Sequence, residues 1–305
     1  MRKIALGKSG LQVPVVAVGC MRISGFAQKE AEEFVNGAME AGANFFDHAD
    51  IYGGGKSEEV FADAVHMNAD VREKMVIQSK CGIKPGEYDF SKEHILKSVE
   101  GSLKRLKTEY LDVLLLHRPD ALVEPEEVAE TFAMLHESGK VRHFGVSNHT
   151  AMQMKLLQKY VKFPIVANQL QMSITNATLI SQGMHMNTFS ETAVDRDGGT
   201  LDFCRLEEIT IQPWSPFQYG FFSGVFLNDE KFPALNQKID EIAAKYEVSN
   251  TTIAMAWLLR HPANLQPVTG TTSIGRLKDC LKAAEIRLER KEWYEIFLAA
   301  GNTLP

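Results

Sequence analysis

The stretch FFDHADIYGGGKSEE, residues 45–59, concentrates titratable side chains in one turn after an apolar run. Groups that exchange protons can serve acid–base chemistry, whereas glycines followed by Lys-Ser can bind phosphate. These two chemistries demand different spacings, so the spacing decides between them. The titratable residues of this stretch are Asp47, His48, Asp50, Tyr52 and Lys56.

The glycine run does not have the spacing of a phosphate-binding loop. Such a loop needs G-x-x-x-x-G-K-[ST], and the residue five before Gly55 is Asp50. We expect Gly53–Gly55 to let the backbone turn from a strand into a helix, and Ser57 to cap that helix. Lys56 therefore has no phosphate to bind.

Polar residues also end several other apolar runs. MVIQSK (75–80) ends in Lys80 and LDVLLLH (111–117) ends in His117, where a charge is costly unless it is paired. Each residue alone can be explained as a turn, a solvated strand end or a core histidine, but successive strands ending this way predict a site. The candidates are Asp47, Lys80, His117, Ser147, Asn148, Gln169, Trp214 and Ser215.

Eight short strand-like runs alternate with longer segments of helical periodicity. Several runs are apolar on both faces, as in a parallel sheet covered by helices. This pattern favours an α/β fold of the closed (β/α)₈ TIM-barrel type over an open doubly wound sheet, with the carboxyl ends of all strands at one mouth. The runs span 13–20, 44–49, 75–80, 111–117, 141–148, 164–171, 209–216 and 265–271.

Some segments lie outside the eight repeated strand–helix units. Residues 2–14 predict an N-terminal β-hairpin that plugs the barrel floor, and helical segments at 233–248, 251–263 and 290–301 predict extra helices near the C-terminus. Residues 172–200 show neither strand-like nor helical periodicity, and we expect them to form a loop over one barrel face. We see no linker rich in Gly, Ser or Pro, so we expect residues 1–305 to form one domain.

Composition excludes several classes of function. A net charge of -6 without a basic stripe argues against nucleic acid as a partner, and the longest apolar run is too short for a membrane span. No histidine or cysteine has metal-ligand spacing, so we expect no metal. Four widely separated cysteines and a start without an apolar export segment predict reduced thiols and a cytoplasmic protein; these cysteines are Cys20, Cys81, Cys204 and Cys280.

The chain resembles the aldo-keto reductases, NADPH-dependent (β/α)₈ barrel enzymes. GANFFDHADIYGGGKSEE is similar to the segment around the family's catalytic Asp and Tyr, VIQSKCG to the segment with its Lys, and LDVLLLHRPD to the segment with its His. The resemblance implies reduction of aldehydes or ketones, with Tyr52 as the general acid. It implies that Lys80 lowers the pKa of Tyr52, that Asp47 pairs with Lys80, and that His117 orients the carbonyl.

The same resemblance implies a site for NADP(H) in the segments GVSN, NQLQ, PWSPF and PVTGTTSIGRLKD. Gly270 and Cys280 depart from the family's pattern, so preference for NADPH depends mainly on Arg276. His48 also departs, and we expect it to be a hydrogen-bonded supporting residue. The implied cofactor residues are Ser147, Asn148, Gln169, Trp214, Ser215, Pro216, Phe217, Thr271, Thr272 and Arg276.

An alternative function stays open at this point. The family resembled here includes potassium-channel β subunits, so an NADPH-binding regulatory subunit with little turnover is the second hypothesis. The sequence predicts a small carbonyl substrate without identifying it, and leaves the oligomeric state open. We expect the substrate to be selected by Cys20, Met21, Trp214 and the loops 172–200 and 217–232.

Overall fold

The structure, a computed structural model, describes residues 2–305 and contains a closed barrel of eight parallel strands. The strands are β1 (Lys3–Ala5), β2 (Gln12–Pro14), β3 (Ala17–Gly19), β4 (Phe45–Asp47), β5 (Val76–Cys81), β6 (Ile83–Lys84), β7 (Glu87–Tyr88), β8 (Leu111–Leu116), β9 (Val141–Ser147), β10 (Ile165–Gln171), β11 (Thr210–Trp214), β12 (Gln218–Tyr219), β13 (Gly224–Val225) and β14 (Val268–Thr269). Around the barrel the order is β3, β4, β5, β8, β9, β10, β11 and β14, which returns to β3. The predicted (β/α)₈ fold is therefore confirmed.

Helices surround this barrel. They are α1 (Gln28–Glu40), α2 (Lys56–Ala64), α3 (Ala69–Arg72), α4 (Lys92–Leu106), α5 (Pro125–Glu137), α6 (Ala151–Tyr160), α7 (Thr178–Met184), α8 (Thr200–Leu206), α9 (Pro233–Tyr246), α10 (Asn250–Leu259), α11 (Ile274–Lys282) and α12 (Arg290–Ala299). Both α9 and α10 precede the last barrel strand and α12 follows α11, which confirms the extra helices. Within residues 2–305, no helix has the length and hydropathy needed to cross a membrane.

The hairpin β1–β2 closes the amino end of the barrel, as predicted. The backbone N–H of Gly7 donates to the hydroxyl of Thr210, the first residue of β11, at 2.8 Å. Gly7 has a φ of +49°, and a Cβ there would lie 2.4 Å from the carbonyl oxygen of Val166. Only glycine fits this close approach, so the plug depends on that residue type.

Two apolar layers hold the strands in place. Inside the barrel, Leu6 of the plug packs with Phe45 and Leu115, and all three are fully buried. Outside it, the opposite faces of the same strands pack against the helices in a larger cluster that includes Phe46 and Leu114. Burial on both faces explains why the strand runs are almost continuously apolar.

Residues 172–200 are more ordered than a simple loop, so that expectation was wrong. They contain α7 and a short 3₁₀ helix at Glu191–Ala193. Leu179 and Ile180 are buried, and the His185 ring bonds to the backbone oxygen of Thr303 at 2.8 Å. The segment thus packs against the C-terminal residues, because a few apolar side chains suffice to dock a short helix.

Candidate active site

Three side chains from the β4–β5 region form a connected cluster at the carboxyl mouth. Asp47 is the last residue of β4, Lys80 lies near the end of β5, and Tyr52 lies in a 3₁₀ turn after β4. The Lys80 Nζ is 2.8 Å from Asp47 Oδ2, 2.9 Å from the Tyr52 hydroxyl and 2.7 Å from the His48 backbone oxygen. All three ammonium protons therefore have acceptors, which allows a charged lysine to be fully buried.

Burial and charge act against each other in this cluster. Burial opposes the charge of Lys80, but the Asp47 carboxylate and the Tyr52 phenol together raise its pKa above the usual value. Burial raises the pKa of Tyr52 above 10, and the Lys80 ammonium opposes this rise. The expectation that Lys80 brings the pKa of Tyr52 below its usual value is therefore wrong for the net shift, although the direction of the lysine's own effect is correct.

The Asp47 carboxylate is held from its other side by glutamine amides. Gln78 Nε2 donates to Asp47 Oδ1 at 2.6 Å, and Gln169 Nε2 donates to the same oxygen at 3.0 Å. From Gln78 the amide contacts continue across the barrel interior through Gln212 and Gln266, and Gln266 donates to the backbone oxygen of Pro14 in the plug. The sequence analysis missed this chain of amides.

A sequence signal for these glutamines exists. Side chains alternate between the two faces of a strand, so Gln78, two residues before Lys80, must point to the same side as the lysine. Gln212 has the same relation to Trp214. Polar residues at these spacings predict an inward-facing network below the candidate site.

His117 follows β8 and faces the tyrosine. Its ring centre lies 6.0 Å from that of Tyr52, with the two planes nearly perpendicular. Burial lowers the pKa of His117 well below 6.5, and Lys80 and Arg118 lower it further. The imidazole is therefore neutral at physiological pH, and a neutral ring nitrogen can hydrogen-bond a carbonyl oxygen without adding another charge.

His48 does not have the hydrogen bonds that we expected. Both of its ring nitrogens are buried and without a hydrogen-bond partner among residues 2–305, and its ring packs against Phe61 with centres 4.6 Å apart. Burial, reinforced by Lys80, lowers the pKa of His48 to about 3. The side chain is thus a neutral packing residue, and only its backbone oxygen supports Lys80.

The glycine turn has the predicted conformation, but the helix after it begins differently. Gly53–Gly55 all have positive φ, between 59° and 94°, and Gly55 occupies the N-cap of α2. Ser57 lies inside the helix, where its hydroxyl donates to the Met21 backbone oxygen at 3.2 Å. The predicted Ser57 cap is wrong because the left-handed Gly55 takes the cap position two residues before the serine.

A buried acidic pair lies behind this turn. Glu58 is fully buried and accepts from Arg105 Nε at 2.8 Å and from Ser79 Oγ at 2.7 Å. Asp50 is less well paired: burial raises its pKa to about 6, a hydrogen bond from Ser98 opposes the rise, and the charge of Glu58 adds to it. Asp50 thus reduces stability wherever it is ionised.

Replacing Asp50 by asparagine is expected to stabilise the protein at alkaline pH. An acid whose pKa is raised from 3.8 to about 6 in the folded state favours folding only when protonated, so its cost is small near pH 4 and complete above pH 6. The Asp50→Asn variant should gain about 3 kcal/mol of unfolding free energy at pH 8 and lose most of that gain at pH 4. Denaturant titrations at both pH values measure the unfolding free energy.

The control is Asp240→Asn, at an exposed acid of α9. If Asp50→Asn gained the same stability at both pH values, the raised pKa of Asp50 would be contradicted.

A cavity of about 1060 Å³ opens at this mouth. Most of the residues predicted for the site line it, whereas Lys80 lies behind Tyr52, and Thr272 is exposed and outside the lining. The predicted residues that line the cavity are Asp47, Tyr52, His117, Ser147, Asn148, Gln169, Trp214, Ser215, Pro216, Phe217, Thr271 and Arg276.

The polar groups at the end of β9 and β10 are mostly occupied by protein contacts. Asn148 donates to the His117 backbone oxygen at 3.3 Å and to Ser147 Oγ at 2.8 Å, and its side-chain oxygen accepts from Trp214 Nε1 at 3.1 Å. Asn148 thus fixes the indole at the cavity wall. Gln169 uses its Nε2 for Asp47, and its Oε1 has no hydrogen bond among residues 2–305, so that oxygen can accept from a ligand carboxamide.

The opposite end of the cavity suits an anion. Arg276 Nε donates to Thr271 Oγ1 at 3.1 Å, and both residues line the cavity near the N-terminus of α11, where Ser273 is the N-cap. A helix N-terminus and a guanidinium both attract phosphate. Asn250 and Thr251 at the start of α10 also line this end, and the sequence analysis did not predict them.

The cysteine at this end has no reactive thiolate. Cys280 lines the cavity, and burial raises its pKa to about 12. All four cysteines are free and buried in the structure. Cys280 therefore contributes a small apolar surface to this part of the cavity.

Only one of the two loops expected to select the substrate reaches the cavity. Phe221 and Phe222 stand beside Trp214, with ring centres 6.0 Å and 5.7 Å from it. The lining includes seven residues from the segment 217–228 but none from 172–200, because the latter segment packs against the C-terminal residues instead. Of the other two residues named for selection, Met21 lines the cavity and Cys20 does not.

Comparisons with known proteins place the chain in a family. The family model described as "Aldo/keto reductase family" matches residues 15–297. Oxidoreductase YdhF of Escherichia coli (strain K12) is 32% identical over the whole of both chains. The 6-dehydroglucose reductase of Novosphingobium aromaticivorans is 32% identical over 98% of this chain and 96% of that protein.

A solved structure agrees with this placement. The crystal structure of the thermostable aldo-keto reductase Tm1743 in complex with the inhibitor epalrestat has a TM-score of 0.79 and 28% sequence identity, covering 98% of this chain and 100% of that one. The closed barrel, its polar mouth and these relatives define a (β/α)₈-barrel oxidoreductase. The chain belongs to the aldo/keto reductase family, which confirms the resemblance and supports carbonyl reduction in general.

Proposed function

We propose that this protein reduces aldehydes or ketones to alcohols with NADPH, and that Tyr52 is the general acid. The observation that carries the proposal is the position of Lys80, whose Nζ lies 2.8 Å from Asp47 and 2.9 Å from the hydroxyl of Tyr52 at the wall of the cavity. The lysine and its two partners form a unit that can hold a proton at the phenol oxygen and stabilise the phenolate after the proton leaves.

The mechanism assigns each residue a separate task. The carbonyl oxygen of the substrate lies between Tyr52 and His117 and accepts hydrogen bonds from both. As negative charge develops on that oxygen, the Tyr52 hydroxyl transfers its proton to it, and the Lys80 ammonium stabilises the phenolate that forms. Asp47, held by Gln78, keeps Lys80 in place. Because burial raises the pKa of Tyr52 above its usual value, the tyrosine remains protonated and ready to donate at physiological pH.

The cavity fits a nicotinamide cofactor. When bound, NADPH supplies the hydride that reduces the carbonyl carbon. The residues proposed to hold it are Gln169, whose Oε1 has no hydrogen-bond partner within residues 2–305, Ser147 and the face of Trp214 at the nicotinamide end, and Arg276 with Thr271 at the phosphate end. Asn148 supports the cofactor site through Trp214.

The proposed function is tested by NADPH consumption with a panel of aldehydes and ketones, together with cofactor binding. We expect turnover with NADPH, and we expect Arg276→Gln to weaken NADPH binding about tenfold or more while leaving NADH binding unchanged. Arg290→Gln, at an exposed arginine that begins α12, is the matched control. Tight NADPH binding with no turnover on any carbonyl would refute the enzyme and favour the regulatory-subunit alternative.

A further inference from the structure

The charges that line the cavity are unusual for this chain. The protein has 39 acidic and 33 basic residues, yet the part of residues 2–305 that lines the cavity contains no glutamate and no lysine. The one acid among these described lining residues is Asp47, which is already paired with Lys80. The free charges among them are therefore all arginine, namely Arg22, Arg118 and Arg276. A cavity of this kind attracts anions.

Arg118 stands apart from the proposed cofactor phosphates. It follows His117 at the end of β8, whereas Arg276 lies beyond the end of β14. In the closed barrel, β8 and β14 are separated by four steps in either direction, so the two arginines are on opposite sides of the mouth. An anion bound by Arg118 is consequently a different one from an anion bound by Arg276.

Arg118 is half-buried and lacks an anionic partner. It has no salt bridge and no side-chain hydrogen bond among residues 2–305, and its guanidinium carbon lies 6.0 Å from the centre of the Phe221 ring. Phe221 is in turn packed edge-on against Phe222, with centres 4.7 Å apart. A guanidinium carries five donors, and partial burial beside aromatic rings makes unpaired donors costly.

The proposed carbonyl site lies next to this arginine. His117, the residue proposed to orient the carbonyl, is its neighbour in the chain, and the charge of Arg118 contributes to lowering the pKa of His117. The aromatic surface beside it, formed by Trp214, Phe221 and Phe222, suits an apolar or aromatic body. One molecule can therefore contact the tyrosine, the aromatic rings and the guanidinium together.

We propose that the substrate is a carbonyl compound with an apolar or aromatic body that carries a carboxylate or phosphate, and that Arg118 binds this anion. The proposal rests on the reductase function proposed above and names its substrate class. Arg118 is then a specificity-determining residue, since it contacts the part of the substrate that does not react. A bidentate guanidinium contact favours the charged compound over an uncharged compound of the same shape.

The test compares matched charged and uncharged aldehydes. The charged probes are 3- and 4-carboxybenzaldehyde, with 3- and 4-formylbenzamide as their uncharged counterparts, and 4-formylphenyl phosphate separates phosphate from carboxylate. We expect kcat/KM to favour at least one of the charged probes about tenfold or more, and Arg118→Gln to reduce that ratio to near one. The ratio of kcat/KM for the charged probe to that for the uncharged probe is taken within one variant. An effect of the substitution on His117 changes both values alike and therefore cancels from the ratio.

Arg22→Gln is the matched control, because it removes the same charge from an exposed position in the same cavity. It should keep most of the preference. If Arg22→Gln and Arg118→Gln lost the preference for the charged probe equally, the preference would be a general charge effect, and direct binding by Arg118 would be overturned. A wild-type protein that reduces the amides and prefers no charged probe would also overturn the inference while leaving the reductase function intact. If none of these aldehydes is reduced while other aldehydes or ketones of the panel are, the proposed substrate class is wrong and the reductase function stands.

Discussion

Tyr52→Phe is expected to lower kcat for carbonyl reduction by about 10²- to 10⁴-fold, because a positioned general acid contributes a factor of that size. The substitution removes one oxygen atom and leaves the ring beside His117, where the two centres are 6.0 Å apart. The affinity for NADPH should change little, since the hydroxyl contacts Lys80 and the substrate rather than the proposed cofactor residues. Single-turnover rates and a fluorescence titration with NADPH measure the two quantities.

Tyr88→Phe is the control for this experiment. Tyr88 also lines the cavity, but its side chain is exposed and has no contact with Lys80. Its substitution should leave kcat within about twofold of the wild type, as for other surface changes away from the reacting groups. Undiminished turnover in Tyr52→Phe would refute the assignment of the acid while leaving the family membership unaffected.

Lys80→Met is expected to reduce activity by a similar factor and also to destabilise the protein. The substitution removes the charge that stabilises the phenolate, and it leaves the buried Asp47 carboxylate without its counter-ion, which costs about 3–5 kcal/mol in comparable pairs. Lys80 opposes the burial that raises the pKa of Tyr52, so its removal raises that pKa further. Reduction requires the protonated tyrosine, so the alkaline limb of the kcat profile should move to higher pH.

A double variant separates the two effects of Lys80→Met. Asp47→Asn combined with Lys80→Met removes both charges, so it should recover part of the lost stability and none of the activity. Lys84→Met, at the partly exposed lysine of β6 that pairs with Glu87, is the control for loss of a lysine near the mouth. Recovery of activity in the double variant would show that Lys80 acts only by neutralising Asp47.

The fold was predictable because its strands and helices have strong periodicity. The strand from Leu111 to Leu116 is buried at every position, and such a run has few alternatives to a covered parallel strand. Helix α7 was missed because it has only seven residues, and a short helix depends on docking that the sequence does not reveal. Ser57 was wrongly predicted to be the N-cap because the sequence does not show which of the three glycines takes the left-handed cap conformation; in the structure it is Gly55.

The candidate site was predictable in its members and less so in its electrostatics. Tyr52, Lys80 and Asp47 lie together because they end or follow neighbouring strands, a relation that topology fixes. The net rise in the pKa of Tyr52 depends on the depth of burial, and the two unpartnered nitrogens of His48 depend on its rotamer. Both are properties of packing in three dimensions, so a motif match could not supply them.

The chain of glutamine amides gives the hydrogen bonds inside the barrel a fixed direction. At the floor the Pro14 oxygen can only accept, so Gln266 must present its amide nitrogen there and its oxygen to Gln212. Gln212 and Gln78 exchange one bond each way, and Gln78 has its remaining proton for Asp47. Every member is thus oriented from the plug upward. Reversing a single amide would leave two donors or two acceptors facing each other, so the whole interior is matched to an ionised carboxylate at the mouth.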